Sequence, residues 1–507
     1  MSKKKVLINA ITGFGGQFII LILGLIVPRV MLTSYGSDVN GLISTITQLF
    51  SYMALLEAGI GQATRNALFM PIAKKDKEGI SYVISVSLHY FHRITVYYGM
   101  GVIALAVAAP FLLNTEVDKL TVFLVIIFEG MSGVVTFYFI QTIRTLLTAS
   151  GKGYINNTIL VVNRIITYVV RIVLASVGVS IVLLQFCYFI LTIIQVLVYR
   201  YYYARNYSWI DTKCAPKTAK LQDRNAYILT EIAWTVFTST DMIVLSMFVS
   251  TKAASVYNVY NLVFHSLHVL LNSVYSSVNY LLGHTFHKSR EQYVKMHDAF
   301  MSVFMGAITA MMSVGCILCL PFIKLYTSGV NDTEYIYEAL PIMFCLVQMI
   351  SWSRYIQGNL VNVAGYASKA VKINLAEATT NVVLSIALVH KFGIIGVLFA
   401  TVIALPLKGI YCTYMADKVI LQRSYRNSIM ILGVNYLIFA FAIFVNKTVP
   451  ISINSYIDFV KVGALTTIVF LVISIAANLI VNPQVYKMIK VIVGDKLGRS
   501  RQKGSIE

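Results

Sequence analysis

The sequence predicts an all-α polytopic membrane fold: about fourteen transmembrane helices, built as two parallel-repeat six-helix lobes with two additional helices at the C-terminus. Three observations predict it. The first is composition. Of 507 residues, 58% are hydrophobic and 12% charged, with a mean hydropathy of +0.75. Apolar runs of about 18 or more residues recur along the chain, each long enough to cross about 30 Å of hydrocarbon as a helix. The second is charge alternation. The even-numbered gaps between runs and both tails carry about 29 of the 41 Lys and Arg, and the odd gaps only about 7, the positive-inside pattern of a chain with both termini cytoplasmic. The third is an internal repeat at an offset of 215 residues. Lys75-Asp76 falls on Arg290-Glu291, Ser51 on Ser266, Leu55-Leu56 on Leu270-Leu271, Ala149 on Ala364 and Gly178 on Gly393. Six spans is an even number, so both repeats enter the membrane from the same side.

In chain order the expected spans lie at about 7–32, 40–63, 80–112, 118–148, 153–177, 179–203, 225–250, 253–282, 297–327, 336–364, 370–390, 393–415, 427–446 and 456–481. Lys3-Lys4-Lys5 before the first run resembles a signal peptide. The run continues to Leu32 without a clear small-residue cleavage site, so it is expected to be the first span. Outer connections are short and acidic, as in Glu116 to Asp118 and Asp332 to Glu334; inner ones are basic, as in Lys74 to Glu78 and Lys288 to Glu291. The expected organisation is an N-terminal lobe at 1–205, a cytoplasmic linker at 206–224, a C-terminal lobe at 225–415, two further helices at 416–481 and a basic tail at 482–507. No connection is long enough for a folded extramembrane domain.

The formal net charge of +20 arises mainly in inner-leaflet loops, where anionic lipids attract it; nucleic acid is not expected as a partner. Cys316 and Cys319 form a CxxC inside an apolar run, with no second pair at metal-like spacing, and are read as lipid-buried small residues. Ser150 to Gly153 lacks phosphate-loop spacing and reads as a turn. No cofactor and no enzymatic constellation is expected.

Charges inside apolar runs are costly and mark function. Arg93, Arg164, Arg171, Arg354 and Lys408 lie inside the runs or at their rims. In the fifth span Asn157, Arg164, Tyr168 and Arg171 are spaced seven, four and three apart, on one helical stripe. Two guanidiniums there either contact an anion, for which the planar fork suits phosphate, or pair with an acid such as Glu129. The eighth span carries Asn258, Asn261, His265, His268, Asn272, Tyr275 and Asn279 at alternating steps of three and four, a seam suited to the wall of a hydrated cavity. The tenth adds Gln348, Ser351, Tyr355, Asn359 and Asn362 beside Arg354; the seventh adds Glu231, Trp234, Thr238 and Asp241; and the second ends near Gln62 and Arg65. Asp241 and Glu129 are the candidates for a counter-charge or for coupling to H+ or Na+, and the histidines for proton coupling or for satisfied cavity positions.

Four phrases carry a family resemblance over about residues 1–420. They are Leu55-Leu56-Glu57-Ala58-Gly59-Ile60-Gly61-Gln62-Ala63-Thr64-Arg65, Thr238-Ser239-Thr240-Asp241-Met242-Ile243-Val244-Leu245, Ala254-Ser255-Val256-Tyr257-Asn258-Val259-Tyr260, and Asn381-Val382-Val383-Leu384 followed by Lys391-Phe392-Gly393-Ile394-Ile395-Gly396-Val397. With the repeat and topology they resemble the flippase branch of the multidrug/oligosaccharidyl-lipid/polysaccharide exporter superfamily, the Wzx-type polysaccharide biosynthesis proteins. The basic residues in the first span of some lipid-flippase relatives have only Arg29 to match them here. The resemblance implies a transporter, not an enzyme, in the bacterial cytoplasmic membrane. It would export undecaprenyl-diphosphate-linked oligosaccharide repeat units by alternating access, with a polymerase and glycosyltransferases as partners. An ion-coupled multidrug exporter of the same superfamily and a non-transporting membrane scaffold are the alternatives.

Overall fold

The computed structural model describes residues 3–57, 60–215, 224–449, 453 and 455–482. Part of the linker, the basic tail after Asn482, and the side chains of Lys3 to Lys5, Glu231 and Trp234 lie outside what is described. Fourteen α-helices run through the described residues, with no strand among them: α1 Lys3–Met53, α2 Ile60–Lys74, α3 Lys77–Leu112, α4 Lys119–Phe139, α5 Gln141–Ala149, α6 Gly153–Ser176, α7 Ile181–Asn206, α8 Arg224–Phe248, α9 Thr251–Lys288, α10 Arg290–Tyr326, α11 Ala339–Val363, α12 Ala367–Tyr414, α13 Arg426–Thr448 and α14 Tyr456–Val481. Among the described residues ten helices are long and apolar enough to cross a membrane by length and composition, among them segments at Ile19–Met53 and Lys369–Ile420.

Those two long segments each contain two expected spans joined at a glycine. α1 breaks at Gly36 (φ +81°) and α12 at Gly393 (φ +53°), left-handed conformations that a side chain would strain. The expected second span departs differently from one continuous helix. It leaves α1 at Met53, passes through a 3₁₀ turn at Ala54–Glu57 and resumes as α2. The expected fourth span is likewise divided, at Ile140, into α4 and α5. α3 and α10 begin well before their apolar runs because polar caps start them early: Asp76 accepts from Gly79 N at 2.9 Å, and Ser289 from Gln292 N. The 215-residue repeat persists in backbone detail. Gly178, in the turn between α6 and α7, has φ +79°, as its mate Gly393 has a positive φ.

The chain forms two compact units, 1–258 with 329–333, and 259–328 with 334–507. The described part of the expected linker, 206–215, falls inside the first unit. In that unit α1 lies against α8, with Thr45 and Ser246 hydroxyls 2.5 Å apart, and against the start of α9, where Asn40 Nδ2 donates to Ser255 Oγ at 2.7 Å. A Cβ at Gly41 would lie 1.7 Å from the Thr251 carbonyl oxygen, so only glycine permits this crossing. The core gathers Leu42, Ile46, Val102, Val122, Val125, Ile126 and Leu184; a second cluster packs Leu68, Ile80, Ile84, Ile143, Leu146, Leu147 and Tyr199.

One end of the first unit is tied by acid side chains. Asp38 accepts from Thr115 Oγ1 at 2.9 Å, from Glu116 N at 2.8 Å and from the Thr251 hydroxyl. Asp332 accepts from Ser37 N at 2.7 Å and Ser37 Oγ at 2.6 Å, and Lys252 meets Glu116 at 2.7 Å. At the opposite end the chain 207–215 returns against α3: Ser85 Oγ donates to the Thr212 carbonyl at 2.9 Å, and Lys77 lies over the Trp209 ring. The charge pattern predicts that the first end is external. In a cysteine-free background, a membrane-impermeant thiol reagent applied to intact cells should therefore modify Cys at exposed Glu116 and spare Cys at exposed Lys75. The reverse pattern would overturn the topology.

The second unit holds cores at both ends, one built on Leu282, Tyr293, Leu360 and Ala416, the other on Ala310, Ile317, Ile438 and Phe470. Cys316 and Cys319 are buried on α10 with free thiols.

Candidate functional site

Two adjoining cavities in the first unit concentrate charge. One, of about 670 Å³, is lined by Glu57, Gln62, Arg65, Gln141, Arg144, Thr145, Thr148 and Asn156, with Thr235 of α8. The other, of about 570 Å³, is lined by Thr47, Glu129, Asn157, Asn163, Arg164, Tyr168, Arg171, Tyr188 and Gln195. Arg144 belongs to both walls.

The local sequence explains how these groups are presented. In α5, Gln141, Arg144, Thr145 and Thr148 fall at i, i+3, i+4 and i+7 and form one face. The other face, Ile143, Leu146 and Leu147, is buried against Leu68, Ile80 and Tyr199. In α6 the stripe of Asn157, Arg164, Tyr168 and Arg171 does line one cavity, as its spacing predicts.

The four guanidiniums have different surroundings. Arg171 lies 3.8 Å from Glu129 and over the Tyr188 ring at 4.6 Å. At that separation the ion pair is not hydrogen-bonded, and Arg171 Nε and Glu129 Oε2 are buried without a hydrogen-bond partner among the described residues. Arg144 makes long contacts, 3.4 Å to Asn156 Oδ1 and 3.5 Å to Gln141 Oε1. Arg65 donates to Gln62 Oε1. Arg164 is exposed. Among the described residues no carboxylate lies within ion-pair distance of Arg65, Arg144 or Arg164. Four guanidiniums thus face two carboxylates, leaving two positive charges uncompensated among walls of amide and hydroxyl groups. An anion with several oxygens, presented to forked donors, is what such walls bind best.

Both α6 arginines line this cavity; Arg171 has Glu129 at 3.8 Å, whereas Arg164 has no carboxylate within ion-pair distance among the described residues. Glu129 is the carboxylate beside Arg171. Asp241, on α8 and 7% exposed, accepts from Tyr257 Oη at 3.1 Å. Asn258 is half-buried at the end of the first unit's share of α9.

The other expected site residues lie in the second unit. Arg354, one of the cations in apolar runs expected to mark function, is 5% exposed and ion-paired with Glu377 of α12. It is held inside the helix packing, outside the two cavities, because a buried guanidinium needs its acid. On α9, His268 Nδ1 is 3.2 Å from Gln348 Oε1, and its ring is 4.6 Å from Trp352; Tyr275 donates to the Tyr355 carbonyl at 2.9 Å. That part of the seam packs on α11. Asn261 is half-buried, and His265 and Asn272 are exposed. Sequence reasoning passed over Arg144, Gln141, Asn156 and Glu57. The i, i+3, i+4, i+7 polar face of α5 was the available signal.

No protein-family model and no curated protein matches the sequence. Solved structures do. The lipid II flippase MurJ, in an inward closed conformation, superposes with a TM-score of 0.68 at 14% identity, over 93% of this chain and 99% of its own. An inward-facing MATE-family multidrug resistance transporter of the MOP superfamily gives 0.63 at 12%, over 85% of this chain and 96% of its own. The MATE multidrug transporter DinF-BH gives 0.58 at 14%, over 81% and 94%. This chain has their fold. At these identities the likeness establishes polytopic all-α architecture, and the chemistry has to be argued from the cavity.

Proposed function

We propose that this protein is a flippase that moves a polyprenyl-diphosphate-linked oligosaccharide from the inner to the outer leaflet of a bacterial cytoplasmic membrane, supplying cell-surface polysaccharide biosynthesis. One observation carries the reading: Arg65, Arg144 and Arg164 face the first unit's cavities with no acid in ion-pair distance among the described residues. A diphosphate supplies the missing negative charge, and the surrounding Asn, Gln, Thr and Tyr side chains suit sugar hydroxyls. Sharing a fold with a lipid II flippase supports a lipid-linked substrate. Wzx-type specificity, with a polymerase and glycosyltransferases as partners, rests on the sequence resemblance. An inside-negative potential favours outward movement of the diphosphate, by about 2.3 kcal/mol per charge per 100 mV for charge crossing the whole field.

The multidrug reading shares the fold. A cationic drug calls for an excess of acid in its site, and these cavities have the opposite sign. The test reconstitutes the protein in vesicles with a fluorescent polyprenyl-diphospho-sugar and a membrane-impermeant quencher. Protein-dependent exchange of the lipid between leaflets is expected, with no matching transport of a cationic dye. Dye transport without lipid exchange would replace this reading with the drug-exporter one.

A further inference from the structure

The cavity shared by Arg65 and Arg144 also contains a carboxylate, Glu57, at the end of the 3₁₀ turn that interrupts the second span. None of the three charged groups touches another. Gln141 stands between two of them: its amide nitrogen donates to Glu57 Oε1, and its carbonyl oxygen faces Arg144 Nη1 at 3.5 Å. Arg65 is held off by Gln62, whose amide nitrogen donates to Asn66 at 3.1 Å. Two guanidiniums spread around a cavity of about 670 Å³, each fixed by neutral amides, form a site wide enough for an anion between them. The acid is coupled to that site through one amide and is not locked in a salt bridge.

We infer that Glu57 is a built-in competitor for the diphosphate: its carboxylate balances Arg65 and Arg144 in the empty cavity and opposes an incoming phosphate, so the site loads and releases its anion instead of holding it. This rests on reading the cavity as a diphosphate site and adds an affinity-limiting residue to it. The physical basis is plain Coulomb repulsion. A fixed negative charge several ångströms from a bound anion weakens binding, and an intermediate dielectric makes the effect about tenfold. A transporter gains from that opposition, because an anion seated between two unopposed guanidiniums would dissociate slowly. The short 3₁₀ segment is also a place where a helix can bend during a conformational step, which would carry Glu57 toward or away from the arginines.

The experiment measures binding of a short-chain isoprenyl diphospho-sugar to the purified full-length protein. Each phosphate of this probe carries one charge across the working pH range. Glu57→Gln keeps a hydrogen-bonding group beside Gln141 and removes the charge. It should tighten binding about tenfold, Glu57→Asp should stay within about twofold of wild type, and Arg144→Gln should weaken binding at least tenfold. Glu57→Ala provides a second charge-removing variant with the same expected tightening, and melting curves confirm that each variant is folded. Unchanged or weaker binding by both Glu57→Gln and Glu57→Ala, with Arg144→Gln still impaired, overturns the competitor role and leaves the flippase reading standing. No binding of the probe by wild type overturns both.

Discussion

Replacing Arg144 and Arg164 together by alanine should reduce glycan export at least a hundredfold, with the protein still present in the membrane at normal levels. Each of these guanidiniums presents donors to a cavity without an acid partner among the described residues. Charge-assisted hydrogen bonds to phosphate contribute about 1.5–3 kcal/mol each, and two together about two to four orders of magnitude in affinity. Because neither side chain closes a salt bridge, and Glu57 keeps Arg65 in its cavity and its hydrogen bond from Gln141, folding should survive. Arg171→Ala should behave differently. It leaves Glu129, which is 18% exposed at its side chain, without its cation, so loss of export should come with a lower protein level. Arg144→Lys keeps the charge and loses the fork, and should be impaired less than alanine. The measurement is complementation of a flippase-deficient strain alongside membrane immunoblotting. Normal export by the double alanine variant at normal levels would remove the cavity from the mechanism.

The architecture was legible because bilayer constraints act residue by residue. Span length, basic loops and the six-span repeat are each written locally in the sequence. The breaks at Gly36 and Gly393 were less visible, since both expected spans on either side remain apolar and only backbone torsion separates them. The cavity was half legible. The stripe on α6 follows helical periodicity and lines a cavity, whereas Arg144 lies on α5, beyond the break at Ile140, and was not among the cations the sequence singled out. Arg354 shows the opposite difficulty. Its acid, Glu377, lies 23 positions away on another helix, and sequence spacing does not reveal such a pairing. A cation in an apolar run has the same sequence signature whether it meets substrate or a buried carboxylate; only the third dimension separates Arg164 from Arg354.

The largest loss of stability should come from a residue with no place in the cavities. Arg423, in the loop between α12 and α13, joins two carboxylates. Its Nη1 and Nη2 donate to Asp298 of α10 at 2.7 and 2.8 Å, and its Nε donates to Asp417 at 2.8 Å. Asp417 is fully buried in a π-helical turn at Met415–Ile420, where Ser428 of α13 donates to its other oxygen at 2.6 Å. His297 Nδ1 is 3.2 Å from Asp298, and Asn482, after α14, donates to the Asp298 carbonyl at 3.3 Å. The chain accepts a left-handed conformation at Gln422 (φ +50°) immediately before the arginine, and the Arg423 amide closes onto the Asp417 carbonyl at 2.8 Å. Arg423→Ala leaves two buried carboxylates facing each other without a cation, a change that costs about 3–5 kcal/mol when a single buried pair is broken. The variant should melt well below wild type in detergent and accumulate poorly. Combining Arg423→Gln with Asp298→Asn and Asp417→Asn removes all three charges while keeping hydrogen-bonding side chains of similar size. That triple variant should recover most of the lost melting temperature, because the penalty comes from uncompensated charge more than from the absent contacts. It should also transport near normally, since the cluster lies in the second unit and outside both cavities. A triple variant no more stable than Arg423→Ala would mean that the guanidinium geometry, not charge balance, fastens α10 to the π-helical turn after α12.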